Sequence, residues 1–343
     1  MEPDRSLPAR IASHLAAATG RAVDVTSVEP LLGGACQENL RVDAVLDGER
    51  CRLALRSDAA TSLPQSLRRK DELRAIEAAV RAGVKTPRAR FPGEGLLREG
   101  AGFYFLDWAE GEAIGRKVVS APHLAGARQE LPRALARELA RIHEITPGSA
   151  PEVHGATAAS EAERSSAGAA HIHLARIRTS IDAMHAPRPA LELIHRWLLA
   201  HAPPPEPWVL THGDFRTGNF LVTPDGLSAI LDWEFAHFGS RYEDLAWISV
   251  RDWRFGKNDL PVGGFSRREP FYEAYEAASG VHLDLALLHY WEVFGNLNWA
   301  VGSVYQGERY VHGGAADFEL VAIGRRAAEM EHEALRLIER GRL

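Results

Sequence analysis

Cysteine is scarce in this chain: only Cys36 and Cys51 occur among its 343 residues. Two thiols are too few for a disulfide framework, and their spacing is not that of a cysteine zinc site. The sequence also lacks an apolar run approaching the roughly 20 residues that cross a membrane. Its N-terminus has no basic region leading into an apolar core. We therefore expect a soluble, cytoplasmic protein.

The chain has little excess charge of either sign. Its formal net charge is −6 and its sequence pI is about 6.2, which argues against a general binder of nucleic acids or anionic membranes. Hydrophobic residues make up 45% and charged residues 25%, enough for a sizeable globular core. No internal repeat or coiled-coil heptad is evident. We expect neither nucleic acid nor a membrane as a partner, and the oligomeric state stays open.

A short β-hairpin is predicted near the middle of the chain. The apolar run Phe220–Val222 leads into Thr223–Gly226, which supplies a proline with fixed φ and a glycine that tolerates left-handed backbone. The segment Leu227–Leu231 then runs back. The pattern predicts two antiparallel strands closed by a tight turn.

Polar side chains stand at the open end of this hairpin. If Thr223 and Gly226 close the turn, Asn219 lies opposite Ile230, and Asp232 is its diagonal neighbour, roughly 7–8 Å away. Asp214 lies in the loop just before. Carboxylate and amide oxygens are hard ligands that suit Mg²⁺, so Asn219 and Asp232 are the candidate metal ligands.

The motif His212-Gly213-Asp214, with Asn219 five residues later and Asp232 beyond the hairpin, resembles the catalytic loop and metal pair of protein kinases. In the wording HGDFRTGNFLV, ILDWEFAHFG and EDLAW, the chain is similar to the aminoglycoside phosphotransferase (APH) family of small-molecule kinases. Within that family it most resembles the branch that also occurs fused to acyl-CoA dehydrogenases.

The resemblance implies a bilobal α+β, protein-kinase-like fold with an antiparallel-sheet N-lobe and a mainly helical C-lobe. It also implies ATP and Mg²⁺ as cofactors and transfer of a phosphoryl group to a hydroxyl. Asp214 would accept the hydroxyl proton or orient the hydroxyl. Arg216 would neutralise the migrating phosphoryl group, although a solvent-facing role is equally open.

The N-terminal third reads as a meander of antiparallel strands, with a turn at Asp47-Gly48. Gly33-Gly34 interrupts it, and a glycine turn lets backbone N–H groups approach a phosphate closely. A plain hairpin loop is the alternative. The resemblance favours a loop over the nucleotide, although Cys36 stands where related kinases lead us to expect serine.

Leu53-Ala-Leu-Arg56 has the form of the kinase V-A-I-K strand, with arginine in place of lysine. In the helix predicted over Pro64–Gly83, Glu72 borders the apolar stripe, where a carboxylate needs a cation. We predict that Arg56 pairs with Glu72 and grips the nucleotide phosphates. The alternative is that Glu72 belongs to a surface cluster with Arg68, Arg69, Lys70 and Arg74.

The strand Gly102–Ala109 is followed by helical composition, so we place the lobe boundary there. The predicted domains are residues 1–109, a nucleotide-binding lobe, and residues 110–343, a helical lobe with the catalytic loop, the metal site and the acceptor pocket. The resemblance implies that the hinge between them presents backbone groups near Asp107 and Ala109 to adenine.

Further helices are predicted in the C-terminal two thirds. They are Leu131–Ile145, His173–Leu199, Pro270–Ala278, Leu283–Val304 and Ala315–Ile338. Residues Gly148–Ala170, rich in Ala, Ser and Gly, are a mobile loop or a weak helix and the candidate substrate lid. His143 is expected to be a satisfied core or capping histidine, and His212 to brace its loop. The resemblance implies that Asp244 hydrogen-bonds into the catalytic loop; helix capping is the alternative.

The acceptor is predicted from charge. Basic residues outnumber acidic ones after the hairpin: Arg251, Arg254, Lys257, Arg267 and Arg268 against Asp252, Asp259 and Glu269. Polycationic aminoglycosides would need an acidic groove, so this favours a neutral or anionic acceptor. The acyl-CoA-dehydrogenase-fused branch points the same way, toward a hydroxy acid or hydroxyacyl thioester.

Three alternatives stay open. The first is an aminoglycoside or macrolide resistance kinase, and the second is a regulatory pseudokinase that binds nucleotide. A metal-dependent phosphodiester hydrolase ranks lower, because such enzymes use several His and Asp ligands. Here only His212 and His237 lie near the carboxylates in sequence.

Overall fold

The computed structural model describes residues 6–31, 38–59, 63, 65–153, 161–314 and 317–343, with side chains omitted for 161–167. Strands β1 to β5 are Val23–Pro30, Glu38–Leu46, Glu49–Ser57, Ala89–Glu94 and Gly102–Asp107. They form one antiparallel sheet in the order β1-β2-β3-β5-β4. The predicted N-terminal meander is confirmed.

The helices and remaining strands follow in chain order. Helices α1 to α6 are Leu7–Thr19, Arg69–Arg81, Gly115–Ser120, Ala125–His143, Glu161–Asp182 and Pro189–Ala200. Strands β6 to β9 are Val209–Thr211, Phe220–Thr223, Gly226–Ile230 and His237–Gly239. Helices α7 to α11 are Arg241–Trp247, Arg268–Ser279, Leu285–Val311, Glu319–Gly324 and Ala327–Arg340. Within the described ranges, none of the helices is both long and apolar enough to cross a membrane.

The sheet is held by a tight turn and a covering helix. Asp47 and Gly48 both have positive φ, 48° and 88°, as a two-residue hairpin turn between β2 and β3 requires. On one face, Ile11 and Leu15 of α1 are fully buried in a cluster with apolar side chains of the sheet, Phe105 among them.

Several predicted helices are shorter or divided. Helix α2 begins at Arg69 rather than Pro64, because Arg68 is extended with ψ 151°. The block predicted as His173–Leu199 is two helices, separated near Pro187 and Pro189, where proline removes backbone donors. Of the candidate lid, residues 154–160 lie outside the described part, and helix α5 begins at Glu161.

The hairpin forms, but in a different register from the predicted one. Thr223 pairs with Gly226, yet a β-bulge at Ser228 shifts the rest, so that Phe220 lies opposite Ile230. The prediction that Asn219 lies opposite Ile230 is therefore wrong by one residue. Asn219 instead accepts a backbone hydrogen bond from Leu231, the residue before Asp232, at 2.8 Å.

The basic segment after the hairpin is largely neutralised inside the helical part. Buried Arg254 donates to Glu292 at 3.1 Å and to Glu333 at 3.0 Å. Arg268 also contacts Glu292, at 2.6 Å, and Arg251 contacts Glu333 at 3.3 Å. These three arginines join the 251–268 segment to α9 and α11. They are not the positively charged acceptor surface that the sequence suggested.

This ion network predicts a large stability effect. Replacing Glu292, which is fully buried, by alanine removes the acidic partner of Arg268 and one of the two acidic partners of Arg254. We expect Glu292→Ala to lower the free energy of unfolding by about 3–5 kcal/mol in denaturant titrations. The exposed Glu339→Ala on α11 should change it by less than about 0.5 kcal/mol. Equal effects of the two substitutions would contradict a structural role for the network.

Candidate active site

Asp214 is buried at the centre of the loop between β6 and β7. Its carboxylate accepts from Arg216 Nε at 3.0 and 3.1 Å, from Trp247 Nε1 at 2.7 Å and from Asn219 Nδ2 at 2.6 Å. Burial raises the pKa of Asp214; Arg216 opposes the rise and Asp232 adds to it. The site therefore holds a fixed carboxylate whose proton affinity is increased. No sequence pattern pointed to the Trp247 contact, which comes from α7.

Asp244 clamps the start of this loop from helix α7. Its two carboxylate oxygens accept the backbone N–H groups of His212 at 2.7 Å and Gly213 at 3.0 Å. The predicted bond into the catalytic loop is confirmed, and the helix is capped instead by Ser240. His143 is also buried against Asp244, at 3.3 Å, as a satisfied core histidine.

His212 braces the loop from inside. Its Nε2 lies 2.9 Å from the carbonyl oxygen of Leu231, and its Nδ1 accepts the backbone N–H of Asp214 at 3.3 Å. A neutral imidazole satisfies both contacts with Nε2–H as the donor. His212 thus links the loop to the far end of the hairpin, in agreement with its predicted bracing role.

Asn219 and Asp232 meet the chemical requirements of a magnesium site. Nδ2 of Asn219 donates to both the carbonyl and the carboxylate of Asp214, so the amide oxygen points away from Asp214. Asp232 has φ 70°, a conformation that costs a non-glycine residue on the order of 1 kcal/mol and is often found at functional sites. Burial alone would raise the pKa of Asp232, but Arg56 outweighs it and lowers the pKa. An ionised carboxylate and an amide oxygen are the ligand types that Mg²⁺ takes.

The predicted Arg56–Glu72 ion pair is present. Nη2 of Arg56 lies 3.2 Å from Glu72 on α2 and 2.6 Å from Oδ1 of Asp232. Arg56 and Glu72 are both buried. Arg56 therefore connects the sheet, helix α2 and Asp232. Its contact with Asp232 was not predicted from the sequence.

Arg69 was missed as a site residue. Sequence reasoning placed it among surface charges, yet its side chain is 1% exposed and forms an ion pair with Glu72. It also donates to Asp58 at 3.3 Å and lies 3.9 Å from Glu234. Burial, reinforced by Asp232 and Glu72, raises the pKa of Glu234 to about 7. The surface-cluster alternative is wrong for Arg69, because this residue lies one turn before Glu72 on the buried face of α2.

The other nucleotide-binding predictions have less structural support. Gly33 and Gly34 lie outside the described residues. At the predicted hinge, the backbone N–H of Asp107 donates to the carbonyl of Arg88 at 3.0 Å, so this N–H is already used within the sheet edge. Ala109 follows the end of β5 and is half-buried. The adenine contacts stay predictions.

An aromatic wall adjoins Asp214. The guanidinium of Arg216 lies 4.4 Å above the ring of Trp253, whose centroid is 4.9 Å from that of Trp299. Trp299 donates to Asp252 at 2.6 Å, and Arg326 forms an ion pair with the same carboxylate. The two indole rings are tilted by 47° to each other, and the buried carboxylate of Asp252 beside them is paired with Arg326.

The sequence comparisons identify related proteins. A sequence model of the phosphotransferase enzyme family, APH, matches residues 27–284. Acyl-CoA dehydrogenase family member 10 of Mus musculus is 28% identical over 197 residues, which cover 55% of this chain but only 17% of the mouse protein. The resemblance drawn from the catalytic loop and hairpin is confirmed.

Solved structures share the fold. A Ralstonia eutropha protein assigned as an aminoglycoside phosphotransferase is 18% identical with a TM-score of 0.71, over 96% of this chain and 98% of its own. A thermostable mutant of aminoglycoside phosphotransferase APH(4)-Ia, in a ternary complex with AMP-PNP and hygromycin B, is 17% identical with a TM-score of 0.62, over 95% and 98%. The predicted kinase-like α+β fold is confirmed.

Gly213 gives a test of the loop geometry. Its φ is 78°, and a Cβ there would lie 2.2 Å from the backbone oxygen of Phe235. Gly20 has a similar φ of 70° with no atom within 4 Å of such a Cβ. We expect Gly20→Ala to cost about 1 kcal/mol of unfolding free energy. Gly213→Ala should cost clearly more, because the backbone must also move, and should abolish turnover. Equal losses in denaturant titrations would show that the loop can relax around the new methyl group.

Proposed function

The chain belongs to the phosphotransferase enzyme family. We propose that it transfers a phosphoryl group from ATP, with Mg²⁺, to a hydroxyl of a small molecule, and that this acceptor is a neutral or anionic hydroxy compound. The observation that carries the proposal is the hydrogen-bonded group of Asp214, Arg216 and Asn219 next to Asp232. A kinase needs these side chains aligned rather than reactive, because phosphoryl transfer depends mainly on positioning and charge.

On the donor side, Asn219 and Asp232 would hold Mg²⁺, which when bound neutralises charge on the nucleotide phosphates. Arg56, kept in place by Glu72, would grip the same phosphates with its planar guanidinium. The Gly33-Gly34 turn and the backbone near Asp107 and Ala109 would contact the phosphates and adenine.

On the acceptor side, Asp214 would receive the hydrogen of the attacking hydroxyl at a carboxylate oxygen. Burial favours this role, since it raises the pKa of Asp214 and hence its affinity for a proton. Arg216 contacts both oxygens of Asp214 and lies beside the reacting region, where its charge would stabilise the transferred group.

The side chains of the aromatic wall bear on the class of acceptor. A polycationic aminoglycoside would favour uncompensated carboxylates, whereas Asp252 is already bound to Trp299 and Arg326. Trp253, which is 5% exposed, lies against Arg216 in the same wall. Similarity to an acyl-CoA dehydrogenase family member supports a hydroxy acid or hydroxyacyl thioester. The basic segment after the hairpin supports it less, because three of its four arginines, Arg251, Arg254 and Arg268, are paired internally.

Asp214→Asn tests the mechanism. The amide keeps the size of the side chain but loses the charge and proton affinity, so we expect turnover to fall by at least about 100-fold. The matched control is Asp225→Asn at the exposed hairpin turn, which should keep wild-type turnover. ATP consumption with an accepted substrate is the measurement. Unchanged turnover in Asp214→Asn would refute the proposed role.

A substrate panel tests the acceptor. We expect ATP consumption and a phosphorylated product with hydroxyacyl-CoAs or free hydroxy acids, detected by mass spectrometry. Kanamycin-like polyamines should give no product. Turnover with the polyamines alone would favour a resistance kinase, and nucleotide binding without any turnover would favour a pseudokinase.

A further inference from the structure

Two histidines and a glutamate converge behind the catalytic loop, outside the site described above. Nε2 of His173 lies 3.0 Å and Nε2 of His237 lies 2.9 Å from the same atom, Oε2 of Glu243. The three side chains are 15%, 8% and 9% exposed. The potential ligand atoms all lie within 4.8 Å of one another. They come from three elements: α5, β9 and α7.

The hydrogen bonds around His237 determine which of its nitrogens faces the cluster with a lone pair. Its Nδ1 lies 2.8 Å from the carbonyl oxygen of Phe235, so Nδ1 carries a hydrogen and donates it. In a neutral His237 the Nε2 lone pair would then face a carboxylate oxygen at 2.9 Å. Two acceptors do not meet at this distance unless a proton lies between them or a metal cation binds to both.

Outer contacts of this kind are typical of metal-binding histidines, which donate their second ring hydrogen to a carbonyl or carboxylate. Glu243 is oriented in the same way, since its Oε1 accepts the backbone N–H of Ser240 at 2.7 Å. His173 is held among the rings of Trp291 and Phe294, with centroids 6.1 and 5.4 Å away. The three ligands are thus positioned before any cation arrives.

We propose that His173, His237 and Glu243 form a binding site for a zinc-like divalent transition-metal ion. Two imidazole nitrogens and one carboxylate oxygen are a common zinc ligand set with a fourth position left open. Bonds of about 2.1 Å in tetrahedral geometry separate ligand atoms by about 3.4 Å, so each histidine nitrogen would move about 0.4 to 0.5 Å away from Glu243 on binding. Nitrogen ligands also distinguish this site from the oxygen-only pair Asn219 and Asp232, which suits Mg²⁺.

The position of the site indicates what the ion does. Glu243 precedes Asp244, whose carboxylate holds the backbone of His212 and Gly213. The backbone of His237 pairs with Thr211, directly before the loop. A bound ion would fix α5 to β9 and α7, and so hold the frame that carries Asp214. The ion is structural in this proposal, and it takes no part in phosphoryl transfer.

Metal content of the purified chain tests the proposal directly. Tag-free protein comprising residues 1–343 is stripped with a chelator, equilibrated with Zn²⁺ in excess Mg²⁺ and passed through gel filtration. Its zinc content per chain is then measured by elemental mass spectrometry. We expect about one zinc per chain and a higher melting temperature than in the stripped protein. Substitution with Co²⁺ should give visible absorption bands of a low-coordinate nitrogen and oxygen site.

The informative variants are His173→Gln and His237→Gln. Glutamine can still donate a hydrogen bond to Glu243 but is a poor zinc ligand, so a merely hydrogen-bonded cluster would tolerate it. We expect zinc affinity to fall by at least about 100-fold in both, with the zinc-dependent rise in melting temperature lost. The control His171→Gln, at an exposed position on α5, should bind zinc like the wild type. Asp232→Asn should also retain its zinc, because it alters only the other site.

Two results would overturn the proposal. One is a wild-type chain that retains no stoichiometric zinc after gel filtration. The other is zinc binding that His173→Gln and His237→Gln leave unchanged. Either result would assign the cluster to a proton shared between His237 and Glu243.

Discussion

The two halves of the site depend on the ion pairs of the buried Arg56 guanidinium. It lies between Glu72 on α2 and Asp232 beyond the hairpin, so one charge joins the sheet, the helix and the predicted metal ligand. Arg69 adds a second buried cation on Glu72, which keeps the group close to neutral. Removing one partner from such a buried cluster costs several kcal/mol, because the remaining charges lose their compensation. In a nucleotide complex, Arg56 would exchange part of this contact for phosphate oxygens.

The catalytic loop is held by the backbone as much as by side chains. Asp244 accepts two consecutive N–H groups, and Gly213 passes so close to Phe235 that only a glycine fits. Asp214 is then fixed by Trp247 and Arg216. These contacts orient the carboxylate before substrate binds, and catalysis of phosphoryl transfer depends mainly on such positioning. The His173, His237 and Glu243 cluster lies behind the same frame and would stiffen it further.

Sequence reasoning succeeded where local spacing determines the structure. The hairpin turn and the Asp47-Gly48 turn follow from local turn residues, whereas the Arg56–Glu72 pair and the Asp244 clamp were expected from the resemblance to kinases. It failed where tertiary packing decides. The bulge at Ser228 changed the register at Asn219. Arg69 lies on the buried face of α2 rather than at the surface. The arginines after the hairpin face Glu292 and Glu333, which lie far along the chain, so their neutralisation could not be read from local charge counts. The lobe boundary at residue 109 stays a prediction.

The central claim is that the two halves form one nucleotide–metal site joined through Arg56. The most direct test is a crystal structure of the chain with Mg²⁺ and a non-hydrolysable ATP analogue. We predict a magnesium ion bound by Asn219 and Asp232, with Arg56 contacting the analogue's phosphates. A fully occupied analogue whose phosphates lie away from Arg56, or a metal ion bound without Asn219 and Asp232, would contradict it.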